Sequence, residues 1–276
     1  MKIFISIDME GIPGTFNWAH EKIDRPAVRA CMDEHITTAV KAILSSKQAE
    51  MITQIVIADS HSAGDNLSYE ITRLDPRICL ISGDPRPEYM MPGFDPSYAM
   101  VFLLGYHAGT GARKGNMDHT YSNSRIQKIW INDQAMNEAL INAAYAGYHK
   151  VPVAVVSGDL ALKNELMPQM PWLEYVCTKE GLSKFAAKNY SILQVNEELS
   201  QKIHAALGKK DLPVLSFGAP FELKIELHST AMADQACLMP DVQRLDGKTI
   251  SYAHNDFKVL FNALMALVTL ASSVGI

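Results

Sequence analysis

Three short, almost wholly apolar runs, each closing on residues able to bind a metal or move a proton, constrain this chain more than any other feature. Ile3-Phe4-Ile5-Ser6-Ile7 leads into Asp8-Met9-Glu10-Gly11, Ile55-Val56-Ile57-Ala58 into Asp59-Ser60-His61, and Met100-Val101-Phe102-Leu103-Leu104 into Gly105-Tyr106-His107. Runs of this length and β-branched content read as buried central strands of a parallel sheet. Open α/β sheets carry their sites beyond the carboxyl ends of the strands, so Asp8, Glu10, His61 and His107 are expected on one rim.

Asp8 and Glu10 stand two apart, and strand periodicity turns both to the same side. Two close carboxylates repel unless a cation sits between them or they share a proton. The simpler alternative makes Asp8 a loop cap and leaves Glu10 solvated. A fourth strand, 126–131, runs through Asn132-Asp133 into a helical pattern over 136–148 with Glu138 in its first turn, and the polar segment 117–122 supplies His119. Alone, each histidine reads as a hydrogen-bonded loop residue and Glu138 as an acid favoured by the helix dipole. Together they form a mixed oxygen and nitrogen donor set suited to zinc, manganese or iron. Thiolates stand outside it: Cys31, Cys79, Cys177 and Cys237 are isolated and read as reduced residues of an intracellular protein.

The ordered set Ser6-Ile7-Asp8-Met9-Glu10-Gly11, Asp59-Ser60-His61-Ser62, Ile81-Ser82-Gly83-Asp84, Gly105-Tyr106-His107-Ala108, Asp118-His119-Thr120-Tyr121-Ser122, Ile131-Asn132-Asp133 with Glu138, and Ser157-Gly158-Asp159 resembles the DppA-type D-aminopeptidases, a family of dinuclear zinc peptidases. The resemblance spans nearly the whole chain. It implies two zinc ions held by Asp8, Glu10, His61, His107 and Glu138, with Asp8 bridging, and a catalytic role for His119. It further implies short-peptide substrates with an N-terminal D-amino acid, such as D-alanyl-D-alanine, and assembly into a homo-oligomeric ring, typically a decamer. In such a site a metal pair activates water and polarises the scissile carbonyl, which leaves His119 to general acid/base or electrostatic work. Outer roles are expected for Asp59, as a strand-end cap or imidazole partner, and for Asp118, as a neighbour that tunes His119. Ser82-Gly83-Asp84 and Ser157-Gly158-Asp159 read as scaffold turns.

Two other classes fit the residues less well. A metal-dependent phosphatase or nucleotidase on a similar sheet would want an Asp-Asp opening, whereas this chain has Asp8-Met9-Glu10 and three rim histidines. A non-catalytic, ring-forming metal protein would use closed sites, commonly with cysteine, rather than carboxylate-rich ones.

Strands alternating with helices up to about residue 166 predict an α/β fold: a mainly parallel sheet with helices on both faces. Pro26–Ser46 has the apolar spacing of a long helix. Beyond it, a helix at 196–207, strands at 213–217, 221–227, 242–245 and 249–252, and helices at 229–237 and 255–271 predict a smaller α+β unit. The expected division is a catalytic domain over 1–190 and a second domain over 191–276. His228 and His254 read as structural, Met90, Met91 and Met100 as core, and Trp18 as a substrate or subunit contact in a loop. At 276 residues and 48% hydrophobic content the chain can bury a large core, and a net charge of −5 without a basic stripe argues against nucleic acid. No run reaches the length of a membrane span, and Met1-Lys2 leads straight into the first strand, so a cytoplasmic protein is expected.

Overall fold

The computed structural model describes residues 1–275. The chain opens with β1 (Lys2–Ile7), followed by α1 (Trp18–Ile23), α2 (Arg25–Leu44), β2 (Gln54–Asp59), β3 (Ile78–Ile81) and β4 (Tyr98–Tyr106). Then come β5 (Ile126–Ile131), β6 (Gln134–Met136), α3 (Glu138–Tyr148), β7 (Val153–Asp159), α4 (Leu160–Leu166), β8 (Glu174–Ser183), β9 (Ala186–Asn189) and α5 (Ile192–Gly208). The chain closes with β10 (Phe221–Leu227), α6 (Thr230–Ala236), β11 (Gln243–Arg244), β12 (Thr249–His254) and α7 (Phe257–Ser272).

Seven strands form the main sheet in the order β3-β2-β1-β4-β7-β8-β9, parallel except for the β8–β9 hairpin at one edge. Its two faces are buried differently. Ile3, Ile5 and Ile7 of β1 join α2 (Val28, Met32, Ile36, Val40) and α5 (Val195, Leu199, Ile203) in one core. Phe4 of β1 and Val101 and Leu103 of β4 join α3, α4, α7 and the second sheet in the other. Burial on both faces is why these strands are nearly continuous hydrophobic runs.

Helix starts follow local chemistry. Asn137 caps α3 by accepting the Leu140 N–H at 2.8 Å, Asp159 caps α4 through Leu162 N–H at 3.1 Å, and Asp256 caps α7 through Lys258 N–H at 2.8 Å. Pro26 lies in the first turn of α2, as its missing donor allows.

The second sheet is antiparallel, in the order β11-β12-β10-β5-β6. It does not follow the expected boundary at residue 190. The strand at 126–131 is not a fourth strand of the parallel sheet: β5 and β6 pair in the second sheet, while α5, from beyond 190, packs on the first. β5 buries only part of its surface, with Gln127 and Lys128 exposed, which suits a one-sided antiparallel strand better than a doubly covered one. Both sheets share the core that holds Phe4, Ile129 and Leu223.

The strand expected at 213–217 is also absent. That segment crosses α3, where a Cβ built on Gly147 would lie 1.8 Å from the Leu215 carbonyl oxygen, and it has no ladder partner. Trp18, expected in a loop, begins α1, which Asn17 caps. No helix among the described residues is long and apolar enough to cross a membrane.

Candidate metal centre

β2 and β3 lie to one side of β1, and β4 and β7 to the other. The order of the sheet therefore reverses between β1 and β4, the kind of crevice in which open α/β sheets bind ligands. Asp8 and Glu10 follow β1, and His107 follows β4, at this switch point. Two glycines allow the strand ends to close together. A Cβ on Gly11 would lie 1.8 Å from the Tyr106 carbonyl oxygen, and one on Gly105, at φ +69°, 2.3 Å from that of Asp8. The Gly11 N–H donates to the Gly105 carbonyl at 2.7 Å and the Asp8 N–H to that of Leu104 at 2.8 Å. Behind Glu10, the fully buried Lys179 of β8 donates from Nζ to the Glu10 carbonyl at 2.6 Å and also to that of Thr15.

Asp8 and Glu10 converge through the turn after β1 rather than through strand periodicity, since β1 ends at Ile7. His61 Nδ1 lies 3.1 Å from Asp8 Oδ1 and 2.8 Å from Glu10 Oε2. His107 Nε2 lies 3.5 Å from Asp8 Oδ2 and 3.6 Å from Glu138 Oε2. His119 Nε2 faces Glu10 Oε1 at 3.7 Å and Glu138 Oε1 at 4.0 Å, and its ring stacks on that of His107 with centroids 4.1 Å apart. Glu138, at the start of α3, also accepts the Tyr121 N–H at 2.5 Å. The structure thus brings together all six residues singled out in the sequence.

Their electrostatics describe a crowded anionic site. Burial, reinforced by the charge of Glu10, pushes Asp8 up to about 8. Burial opposes ionisation of Glu10 too, but the neighbouring His61 overcomes it and holds Glu10 well below the usual carboxylate range. Burial likewise disfavours a charged His107, yet Glu138, Glu10 and Asp8 outweigh it and push that imidazole up to about 10. His119 is pulled down by burial and by the charge of His107.

Whether these residues fit a metal is testable on their hydrogen bonds. One imidazole nitrogen cannot donate to two carboxylates, so His61 Nδ1 leaves one of its acidic neighbours unserved. Asp8 Oδ2, Glu10 Oε2 and His107 Nε2 are all buried without a hydrogen-bond partner. Buried, unpaired atoms of this kind are costly, and a cation satisfies them at once. Three sets bring their ligand atoms within 4.8 Å of one another: Asp8, Glu10 and His61; Asp8, His107 and Glu138; and Glu10, His107 and His119. Asp8, Glu10 and His107 each belong to two of these sets. The oxygen and nitrogen donor set fits zinc.

The expected outer partners take other work. Asp59 does not reach an imidazole; it accepts the N–H groups of Asn66 at 2.6 Å and Leu67 at 2.8 Å and the Asn66 amide at 2.9 Å. That amide also donates to the His61 carbonyl at 2.8 Å, so Asp59 braces the loop that carries His61. Asp118 turns from the His119 ring to the Gly111 N–H at 2.7 Å and Lys184 at 3.1 Å, because the ring nitrogen it would serve already donates to the Met117 carbonyl at 2.8 Å. Ser157 and Asp159 lie within β7 rather than in a turn: Ser157 Oγ accepts the Gly105 N–H at 2.9 Å, and Asp159 caps α4.

A cavity of about 580 Å³ opens over the cluster, lined in part by Trp18, Glu21, Lys22, Tyr89, Met90 and Tyr121. The Trp18 ring stands 5.4 Å from that of His119 and 5.1 Å from that of Phe185, and its Nε1–H points at Glu10 Oε1 at 3.4 Å. Sequence reasoning missed Glu21, Lys22, Tyr89 and Lys179, since nothing local marks a helix-borne acid, a loop tyrosine or a strand lysine as part of a distant site.

Comparison with known proteins agrees with this geometry. Residues 1–266 match the family described as D-aminopeptidase. The chain is 31% identical over 278 residues to a D-aminopeptidase of Bacillus subtilis (strain 168), covering 98% of each. It superposes with a TM-score of 0.93, at 30% identity and over 100% of both chains, on a structure described as the Zn-dependent D-aminopeptidase DppA from Bacillus subtilis, a self-compartmentalizing protease. The resemblance carried by the ordered motifs is borne out, and the chain belongs to the D-aminopeptidase family.

Proposed function

We propose that this chain is a zinc-dependent aminopeptidase acting on short peptides with an N-terminal D-amino acid, of the D-alanyl-D-alanine type. In this reading Asp8, Glu10, His61, His107 and Glu138 hold two zinc ions, and His119 serves the reaction directly. The observation that carries it is the meeting of three overlapping ligand sets beneath a cavity at the switch point of the sheet, and the bridging role of Asp8 follows the family resemblance. The D preference rests on family membership and on the relative's description.

When bound, the zinc pair supplies Lewis acidity that polarises the scissile carbonyl and lowers the pKa of water. The chain's own residues do the rest. Asp8 is placed to serve two of the ligand sets, and Glu10 and Glu138 balance charge on either side. His119 donates from Nδ1 to the Met117 carbonyl, which fixes its tautomer and leaves the Nε2 lone pair facing the cluster. From there His119 takes a proton during attack and returns it to the leaving amine, as general base and then acid. Trp18 lines the cavity beside His119.

Assembly into a decameric ring and residence in the cytoplasm belong to the same reading. The Bacillus relative is described as self-compartmentalizing, which supports assembly of this chain into a larger particle. All four cysteines are free, as suits a reducing compartment.

The test is release of D-alanine from D-alanyl-D-alanine beside L-alanyl-L-alanine, with zinc-loaded and chelated protein, and light scattering on the same sample. Zinc-dependent cleavage of the D-peptide alone by a large ring is expected. Failure of fully loaded protein to cleave either peptide would overturn the assignment.

A further inference from the structure

Each of the three site histidines turns one ring nitrogen toward the carboxylate cluster and the other toward an acceptor. For His107 and His119 the outward nitrogen is Nδ1, which donates to the Ala108 carbonyl at 3.0 Å and the Met117 carbonyl at 2.8 Å. His61 is inverted. Its Nδ1 faces Asp8 and Glu10, and its outward Nε2 faces no backbone carbonyl but the Glu21 carboxylate, 3.6 Å from Oε2. Glu21 sits on α1 with a side chain only 11% exposed, and its Oε1 is buried without a partner. A carboxylate withdrawn from water this far needs a donor, and the His61 Nε2–H, which at 3.6 Å from Oε2 stands just beyond direct hydrogen-bond length, is the ring donor that faces it.

We propose that Glu21 is the positioning residue of His61: it accepts the Nε2–H, fixes the tautomer that presents Nδ1 inward, and raises the donor strength of that nitrogen. The inference rests on the metallopeptidase reading and adds the one imidazole partner that the backbone does not supply. Carboxylates behind ligating histidines act in this way in metal sites generally, and their loss weakens metal binding by about 10–100-fold. Because α1 carries both Glu21 and Trp18, the same short helix then holds a metal ligand in place and walls the cavity.

Zinc affinity, measured by competition with a chromophoric chelator, tests the proposal in wild type, Glu21→Ala, Glu21→Gln and the surface control Glu70→Gln. Glu21→Ala is expected to weaken zinc binding about 10–100-fold. Glu21→Gln, whose amide oxygen still accepts a hydrogen bond, should lose less, and Glu70→Gln nothing. With excess zinc, kcat for D-alanyl-D-alanine should rise toward the wild-type value, which separates a loss of metal affinity from a loss of chemistry. Unchanged zinc affinity in both Glu21 variants would overturn the proposal. So would a rise in KM at unchanged affinity, which would assign Glu21 to the substrate's ammonium group instead.

A crystal structure of the zinc-loaded wild type reads the same point without a substitution: Nδ1 of His61 on the metal supports the proposal, and Nε2 on the metal overturns it. If the wild type binds zinc yet cleaves no peptide, the peptidase reading fails while the affinity comparison still decides the role of Glu21. A wild type that binds no zinc would overturn both.

Discussion

At the scale of single residues, His119 is the position where a ligand and a proton carrier must be told apart. It shares one candidate ligand set with Glu10 and His107, yet it is absent from the two sets that overlap at Asp8. Its Nε2 stands farther from the carboxylates than the nearest approaches of His61 and His107. If it carries a proton, His119→Ala lowers kcat by about 10²–10⁴-fold and leaves bound zinc unchanged. Elemental analysis beside single-turnover kinetics checks this, and loss of a zinc ion from the variant would make His119 a ligand. Asp59 and Asp118 are instructive in the same way. Each lies within two residues of a site histidine in sequence, but Asp59 spends its oxygens on backbone N–H groups and the Asn66 amide and Asp118 on the Gly111 N–H and Lys184, and so both act through the loops they brace.

At the scale of elements, the site depends on how strands and helices abut. α2 lies across the sheet and buries His35 against β7, where its Nε2 meets Ser157 Oγ at 2.8 Å; the same Oγ accepts the Gly105 N–H beside the site. Burial lowers His35 to about 4 from a usual 6.5. Between these values the unfolded chain binds a proton that the folded chain refuses, so stability rises with pH. This contribution is complete above pH ~6.5, falls as the pH drops toward ~4 and then levels off, a total of about 3 kcal/mol. Urea unfolding across that window should show a shallower pH dependence in His35→Gln than in wild type; equal slopes would mean that His35 is solvated or already charged. Arg86 ties elements in another way. Its buried guanidinium donates to the carbonyls of Ser60, Ser62, Gly83 and Tyr89, joining the His61 loop to the segment that lines the cavity.

At the scale of the whole molecule, folding concentrates three carboxylates and three imidazoles where little water reaches them. The fold carries this cost because two extensive cores surround the site, one of them continuous across both sheets. A metal that binds the folded chain and not the unfolded one adds about 4 kcal/mol of stability at a thousandfold excess over its dissociation constant. Chelation is therefore expected to lower Tm by several degrees and to leave far-ultraviolet circular dichroism largely unchanged. Scanning calorimetry with and without zinc measures it, and an unchanged Tm would count against a resident metal.

The sequence by itself determined the central strands, the residues at their ends and the long helix headed by Pro26, because these depend on local chemistry. The apolar runs of β1, β2 and β4 and Pro26 at the head of α2 all act within a few residues of themselves. Asp8, Glu10, His61, His107, His119 and Glu138 could be singled out for the same reason, with their individual roles supplied by family resemblance. Only the tertiary structure decided strand partners and contacts between distant segments. It placed β5 and β6 in the antiparallel sheet, left 213–217 without a ladder, and set the switch point between β1 and β4. It also brought Lys179 beneath Glu10 and Glu21 behind His61. Strand pairing and burial join residues far apart in the chain, and local periodicity carries no record of which surfaces will meet.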